Sequence, residues 1–254
     1  MKKTPKISIM MISHNSSVYI GKAIQSVLLQ DFKDWELIIV DDGSDDDTLK
    51  VTEPLLEDER IFYFKNEKKC GIPYSRNVAL EKSNGEYLAV LDSDDLWLTK
   101  DKLKLQVDFL DNNQDYGVVG TNLKYIDPAE KLIGQKKVRK TNFFIKLFMP
   151  FWSQINNSSS LSRISLVRKV GGYDNSFKQS QDYDLWLKIG SISKMKNIRG
   201  AHTAYRIHDK NVSILKRKGQ IWHSIRALKN NKKFGNPVVI KMAYYLKYLY
   251  YKNL

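Results

Sequence analysis

The sequence has a single cysteine, Cys70, among its 254 residues, and it has no long apolar run. One thiol excludes an internal disulfide framework and fits a reducing compartment. No apolar stretch approaches the roughly 20 residues that a membrane-spanning helix requires. The run at residues 7–12 is also too short for the core of a signal peptide. We therefore expect a cytoplasmic protein.

Acidic residues are scarce in the second half of the chain. Residues 1–130 carry 24 Asp and Glu against 16 Lys and Arg, whereas residues 131–254 carry 4 against 26. A generally lysine-rich composition would explain part of the net charge of +14. The asymmetry nevertheless predicts different partners for the two halves and favours an anionic partner for the second.

Apolar runs and helical periodicity alternate along the first 120 residues. Short apolar runs predict buried strands at residues 7–13, 35–40, 61–64 and 87–91. Between and after them, apolar side chains recur at helical spacing after Ser16, at residues 74–82 and at residues 103–110. This alternation predicts an α/β fold with a Rossmann-like, mainly parallel central sheet flanked by helices.

Polar residues follow each predicted strand. They are Ser13 to Asn15, Asp41 and Asp42, Asn66, and the run from Asp92 to Asp95. Ligands of such sheets bind outside the carboxyl ends of the strands. Three carboxylates in four positions repel one another unless a cation compensates them, so this run predicts a site for Mg²⁺ or Mn²⁺. A helix N-terminus with acidic residues is the structural alternative.

Three residues have both a functional and a structural interpretation. Asp42 either accepts an N–H group of a nucleobase or belongs to a plain turn with Gly43. Arg76 either binds a diphosphate or forms a salt bridge with a strand-end aspartate. His208 either binds a metal or phosphate or lies on the surface. Asp182 is a candidate general base; Asp184 points to another face if both lie on a helix.

Seven motifs occur in the order that is typical of one enzyme family. They are SHN (13–15), DDGS (41–44), GIPYSRN (71–77), LDSDD (91–95), GGYD (171–174), QDYDLWLK (181–188) and YRIH (205–208). Together they span about residues 5–210, and the chain resembles the family 2 glycosyltransferases, whose catalytic domain has the GT-A fold. The resemblance implies transfer of a sugar from a nucleotide diphosphosugar, most often a UDP-sugar, with inversion at the anomeric carbon.

The resemblance also implies roles for individual residues. Asp42 would contact uracil, Asp92 the ribose, and Asp94 the Mn²⁺ or Mg²⁺ ion that bridges the diphosphate. Arg76 would orient the nucleotide end of the donor, and His208 would close over the diphosphate near the metal. The same donor site would include Ser13, Asn15 and Ser93.

Asp182 corresponds to the catalytic base of the family. Two positions depart from the family pattern: Gln181 replaces a common glutamate, and His14 replaces a common tyrosine. The first departure lies beside the base and not at it. The second puts a base-stacking role for that position in doubt.

The domain organisation follows from the same comparison. We expect a catalytic domain at residues 1–212, with a nucleotide-binding part at about 5–120 and an acceptor part at about 121–212. A basic, aromatic, helical extension would occupy residues 213–254. After Pro237 it could place Val238, Met242, Tyr245 and Leu249 on one helix face, which would either lie on an anionic membrane or belong to a helix that docks on the domain.

The family resemblance implies a glycan acceptor. We expect a lipid-diphosphate-linked glycan of O-antigen or capsule synthesis, which the enzyme would extend at the inner face of the plasma membrane. Three other classes fit part of the sequence. A nucleotidyltransferase usually has a Gly-rich loop after its first strand, which SHNSSVYIG lacks. A metal-dependent phosphohydrolase would use the same aspartates but release a monophosphate. A nucleic-acid-binding protein would leave the acidic strand ends unexplained, so no nucleic acid partner is expected.

Overall fold

The structure is a computed structural model that describes residues 4–209, 211 and 217–253. Its strands are β1 (Ile7–Ser13), β2 (Trp35–Asp41), β3 (Ile61–Lys65), β4 (Tyr87–Val90), β5 (Leu96–Trp97), β6 (Tyr116–Ile126), β7 (Leu132–Lys136), β8 (Leu161–Arg163) and β9 (Lys194–Arg206). Its helices are α1 (Ile20–Leu28), α2 (Thr48–Thr52), α3 (Ile72–Lys82), α4 (Lys102–Asp111), α5 (Asn142–Phe148), α6 (Ile164–Lys169), α7 (Gln181–Ile192), α8 (Arg217–Asn230) and α9 (Pro237–Lys252).

The strands form one mixed sheet in the order β3-β2-β1-β4-β8-β6-β9-β5, and β7 pairs with β6. The α/β class is confirmed. The first four strands are parallel to one another, as the sequence predicts. Beyond β4 the sheet becomes mixed, because β8 runs antiparallel to both β4 and β6 while β6 and β9 are parallel.

Helices cover both faces of the sheet, which explains why its central strands are continuous apolar runs. Successive residues of a strand point to opposite faces. Met10 faces a core that contains residues of α3 and α7, whereas Ile9 faces a second core that contains residues of α1 and α4. All seven residues of β2 are buried.

The turn after β2 requires glycine at position 43. Gly43 has a φ of +71°, and a Cβ atom there would lie 2.7 Å from the backbone carbon of Lys68. The turn therefore packs directly against the loop that leads into α3. This close approach brings the carboxyl end of β2 to the first turn of α3.

The C-terminal segment at residues 217–253 packs on the preceding part of the chain. The Asn231 amide donates a 2.8 Å hydrogen bond to Asp184 of α7, and Phe234 is fully buried where Gly190 leaves room for its ring. The Lys247 ammonium of α9 lies 4.8 Å from the centre of the Tyr183 ring. One face of the C-terminal extension is therefore buried against the rest of the chain. The predicted boundary between residues 212 and 213 lies outside the described residues.

The predicted stripe on α9 is exposed. Asn236 caps the helix through a 2.8 Å hydrogen bond from the Val238 backbone N–H, and Val238, Met242, Tyr245 and Leu249 all remain accessible. The inner face buries Ile240 and Ala243. None of the helices in the part of the chain that the structure describes is long and apolar enough to cross a membrane.

Candidate active site

The carboxyl ends of β1, β2, β4 and β9 meet at one edge of the sheet. β1 lies between β2 and β4, so the chain order reverses there, and such a switch point leaves a crevice above the strands. The Ser16 and Ser93 hydroxyls lie 2.8 Å apart and join the loops after β1 and β4. Ser13 is buried, and its hydroxyl has no partner among the described residues.

The three aspartates after β4 have different surroundings. Asp95 is fully buried, accepts hydrogen bonds from the Ser158 hydroxyl and, at 2.9 Å, from the Arg206 backbone N–H. Burial and the neighbouring Asp94 and Asp92 raise its pKa well above the ordinary value. The pKa of the innermost carboxyl group is therefore shifted towards the neutral form, which is the direction that reduces the self-repulsion expected from the sequence.

Asp92 is paired with a buried cation. Its carboxylate lies 2.9 Å from Arg76, and the Asn157 amide donates to both of its oxygens at 3.1 Å. Arg76 is 4% exposed, and its Nε and Nη1 atoms have no hydrogen-bond partner among the described residues. The salt bridge that the sequence left as one alternative for Arg76 is therefore present, and two nitrogen atoms of the guanidinium remain without a hydrogen bond among the described residues.

Asp94 and His208 form the metal-binding candidate. The His208 Nε2 atom lies 3.0 Å from an Asp94 oxygen, and the Arg206 guanidinium holds the Asp94 carbonyl oxygen at 2.9 Å. A carboxylate and an imidazole, completed by phosphate oxygens and water, fit the coordination habits of Mg²⁺ and Mn²⁺. The described residues include no group of three or more His, Cys, Asp or Glu side chains placed to hold a metal alone.

Asp42 joins β2 to the first turn of α3. One of its oxygens accepts hydrogen bonds from the Cys70 backbone, the Asn66 amide and the Ser75 hydroxyl, at 2.8 to 3.0 Å. Among the described residues, the other oxygen accepts a hydrogen bond only from the Gly71 N–H, at 2.8 Å. Burial raises the pKa of Asp42, but these hydrogen bonds outweigh it and lower the pKa.

Asn15 has a structural contact in addition to its predicted donor role. It adopts a φ of +52°, and its amide and carbonyl oxygen exchange hydrogen bonds with Asp45. The same loop is tied to the turn after β2 through the Asn15 N–H and the Ser44 hydroxyl, 2.9 Å apart. Asn15 thus fixes the relative position of two strand ends.

Asp182 lies in the first turn of α7 on the side of Arg76. It is half-buried, and burial raises its pKa while the Arg76 guanidinium acts in the opposite direction. Asp184 points elsewhere, since its carboxylate is held by Asn231 and, at 2.7 Å, by Lys188. The two carboxylates thus take different faces of the helix, as the spacing predicts.

The sequence motifs do not assign four residues that shape this site. Asn157 and Ser158 hold Asp92 and Asp95, and Tyr19 packs against the His208 ring with 5.2 Å between ring centres. Arg206 lies in a quoted motif, YRIH, but its contact with Asp94 crosses more than 100 residues of sequence. The polar run NNSSS at residues 156–160 indicates a loop, but the sequence does not show that this loop contacts Asp92 and Asp95.

Comparison with known proteins agrees with this geometry. The sequence model described as glycosyl transferase family 2 matches residues 8–165. An uncharacterized glycosyltransferase of Methanocaldococcus jannaschii is 30% identical over 97% of this chain and 88% of its own length. The chain belongs to glycosyl transferase family 2. This family 2 glycosyltransferase is also 29% identical to the chondroitin synthase of Escherichia coli, over 85% of this chain and 31% of that protein.

Solved structures share the fold of this glycosyltransferase. The mannosyltransferase PcManGT from Pyrobaculum calidifontis, in complex with GDP-Man and Mn²⁺, has a TM-score of 0.73 and 17% identity, covering 98% of this chain and 70% of that one. Residues 1–349 of TarS from S. aureus, in complex with UDP-GlcNAc, give 0.70 and 22% identity, covering 89% and 67%. The GT-A fold expected from the motifs is therefore confirmed.

Proposed function

We propose that this glycosyltransferase transfers a sugar from a UDP-sugar to an acceptor hydroxyl with inversion of the anomeric carbon. The observation that carries the proposal is a pair of contacts at the carboxyl ends of the strands. The His208 ring lies 3.0 Å from Asp94, and Arg76 lies 2.9 Å from Asp92 while its charge also acts on Asp182. A metal-binding pair, a diphosphate-binding cation and a general base are the groups that such a displacement requires.

Donor binding is assigned to the loops after β1, β2 and β4. The less occupied oxygen of Asp42 would accept the N–H of uracil, and Asp92 would bind the ribose. Ser13, Asn15 and Ser93 would line the same crevice. Related folds bind more than one nucleotide, since the solved TarS structure is a complex with UDP-GlcNAc and that of PcManGT is a complex with GDP-Man. The preference for UDP rests on the family resemblance and Asp42.

Asp94 and His208 would hold Mn²⁺ or Mg²⁺ against the diphosphate. The ion would stabilise the negative charge that develops on the leaving group. Arg76 would contribute to the same task, because two of its nitrogen atoms have no hydrogen-bond partner among the described residues and could donate to phosphate oxygens. The Arg76 guanidinium is already in place, so it would not have to move when negative charge develops on the leaving group.

Asp182 would remove the proton from the acceptor hydroxyl as that oxygen attacks the anomeric carbon. Its position in the first turn of α7, apart from the Asp94–His208 pair, suits a base that acts on the side opposite the leaving group. One direct displacement inverts the anomeric centre and needs no covalent enzyme intermediate. A nucleotidyltransferase or phosphohydrolase would use the same metal pair, but it would direct the attack at phosphorus.

The donor site is tested by calorimetric titration of UDP with and without Mn²⁺. We expect metal-dependent binding that Asp94→Asn weakens at least about tenfold, because that variant loses an anionic metal ligand. Asp108→Asn, which removes an exposed carboxylate of α4, serves as the matched control and should bind like the wild type. Metal-independent UDP binding by the wild type would overturn the assignment of Asp94.

The acceptor is proposed to be a glycan of a cell-surface polysaccharide, built on a lipid diphosphate such as those of O-antigen or capsule synthesis. The similarity to the chondroitin synthase of Escherichia coli supports a role in polysaccharide synthesis. The exposed apolar stripe of α9 and its Lys241 and Lys252 would hold the enzyme on the anionic inner leaflet. Such contact would bring the crevice to a lipid-linked acceptor.

Membrane contact is tested by flotation with phosphatidylglycerol vesicles. We expect the full chain to float at low salt and to be released at about 0.5 M salt, where charges are screened within a few ångströms. Met242→Asp with Tyr245→Asp should prevent flotation, because both side chains are exposed on the stripe. Leu132→Asp with Ile133→Asp, an equally exposed pair on β7, should float like the wild type. A wild-type protein that stays at the bottom would contradict the proposal.

A further inference from the structure

Two chain segments that no motif explains are hydrogen-bonded between α7 and the proposed donor site. The Tyr183 hydroxyl donates to the carbonyl oxygens of Met149 and Pro150, at 2.9 and 3.2 Å. The segment that begins there reaches the donor side at Asn157, which donates to Asp92. Residues 149–157 therefore run from the residue after the proposed base to the nucleotide side of the crevice.

The second segment runs beside the first one. The Arg139 N–H donates to the Gln154 side chain at 3.0 Å, and the Asn197 amide bridges the Arg139 and Gln154 carbonyl oxygens at 2.7 and 2.9 Å. Lys136 ends β7 three residues earlier. These hydrogen bonds attach the end of β7 to the segment that carries Trp152.

An aromatic surface lies on the first segment. Trp152 packs against Phe148 and Phe151, with ring centres 5.8 and 6.0 Å away, and its side chain is 51% exposed. The Arg139 guanidinium lies 4.3 Å from the centre of the Phe148 ring and supports the cluster. An indole ring that is anchored but accessible offers an apolar face to the C–H face of a sugar ring.

Lys136, the last residue of β7, carries a half-buried cation. The Lys136 ammonium has no hydrogen bond or ion pair with any residue that the structure describes, although its charge interacts with Asp182. Burial lowers the pKa of Lys136, and the Asp182 carboxylate opposes this effect. A desolvated cation without a paired anion is stabilised when a ligand supplies one.

We propose that Lys136 and Trp152 form an acceptor subsite for an anionic sugar, with the indole ring beneath the sugar and the ammonium at its carboxylate or phosphate group. This inference rests on the proposed function, because it places the subsite beside the base that activates the acceptor. It gives the basic second half of the chain a specific task at the active site. The Lys136 cation would also favour the ionised form of Asp182, which is the form that acts as a base.

The subsite is tested by sugar-binding titrations, which do not require the enzyme to be active. The indole N–H resonance of Trp152, assigned with Trp152→Phe, is followed during titrations with methyl β-D-glucuronide, glucose 6-phosphate and methyl β-D-glucoside. We expect at least one charged sugar to shift this resonance with a Kd at least about fivefold lower than that of the neutral glucoside, as one ion pair would give. The two charged probes distinguish a carboxylate site from a phosphate site.

Two matched variants complete the test. Lys136→Gln should remove the preference for the charged sugar, whereas Lys137→Gln, which removes an exposed neighbouring lysine, should retain it. Equal Kd values for charged and neutral sugars, an unmoved Trp152 resonance, or a preference that survives Lys136→Gln would overturn the proposal. Parallel UDP titrations of the same variants report the donor site separately, so failure of the proposed function is distinguishable from failure of the subsite.

Discussion

Asp182→Asn is expected to lower kcat by about a hundredfold to ten thousandfold, the usual contribution of a general base. The amide retains the size of the side chain but cannot accept the proton of the acceptor hydroxyl. UDP binding should remain within about twofold of the wild-type value, because the donor contacts are assigned to other residues. The measurement is release of nucleoside diphosphate from the best donor of a nucleotide-sugar panel, together with UDP calorimetry.

Asp184→Asn is the matched control for this prediction. The two aspartates are two residues apart on α7, but Asp184 binds Asn231 and Lys188 and lies on the side of the C-terminal extension. We expect its substitution to reduce the free energy of unfolding and to leave kcat largely unchanged. Equal losses of kcat in the two variants would mean that Asp182 acts through the helix and not as the base.

The pH dependence of kcat/KM provides a second readout of Asp182. Burial raises the pKa of this carboxyl group above the ordinary value of 3.8, so its proton is retained to a higher pH than on an exposed aspartate. Only the ionised form can act as the base, and activity should therefore fall as the pH decreases through that raised pKa. An acid limb that is absent from Asp182→Asn would identify the group.

Arg76→Met is expected to reduce the free energy of unfolding by about 3 kcal/mol, because the substitution removes one partner of a buried ion pair. Arg76 is 4% exposed and lies 2.9 Å from Asp92, whose side chain is 31% exposed. Its charge also acts on Asp182. Removing the cation leaves both carboxylates less compensated and should move the acid limb of kcat/KM to higher pH. Denaturant unfolding and a pH profile measure the two effects.

Lys104→Met and Arg76→Met with Asp92→Asn are the comparisons for this prediction. Lys104 pairs with Asp108 on the surface of α4, where both side chains are more than half exposed, so its removal should cost at most about 0.5 kcal/mol. The double variant should recover part of the stability lost in Arg76→Met, because it also removes the unpaired carboxylate. A loss in Arg76→Met no larger than that in Lys104→Met would contradict the buried pair.

The first half of the fold was predictable because its signals are local. A run such as ISIMMIS is apolar except for Ser8 and Ser13, since both faces of its strand are covered, and the observed β1 ends at the predicted residue. The second half was less predictable. The antiparallel placement of β8 between β4 and β6 depends on contacts between distant segments, for which neither periodicity nor turn residues give a signal.

The site shows the same division. Motif order predicted which residues gather at the strand ends, and the structure brings Asp92, Asp94, Arg76 and His208 together. It did not predict that Asp95 is buried against Ser158 or that Asn157 holds Asp92, because these contacts join residues more than 60 positions apart. The raised pKa of Asp95 was also unpredictable, because it depends on the burial of this side chain.

The central claim is that the attack occurs at the anomeric carbon of a nucleotide sugar, and reaction in ¹⁸O-labelled water tests it without knowledge of the acceptor. UDP-sugars and GDP-mannose are incubated with the enzyme and Mn²⁺, so that water replaces the acceptor, and the products are analysed by mass spectrometry and time-resolved NMR. The account predicts unlabelled nucleoside diphosphate and a labelled free sugar whose first-formed anomer is inverted relative to the donor. Label in a nucleoside monophosphate or a sugar phosphate would show attack at phosphorus and would contradict it.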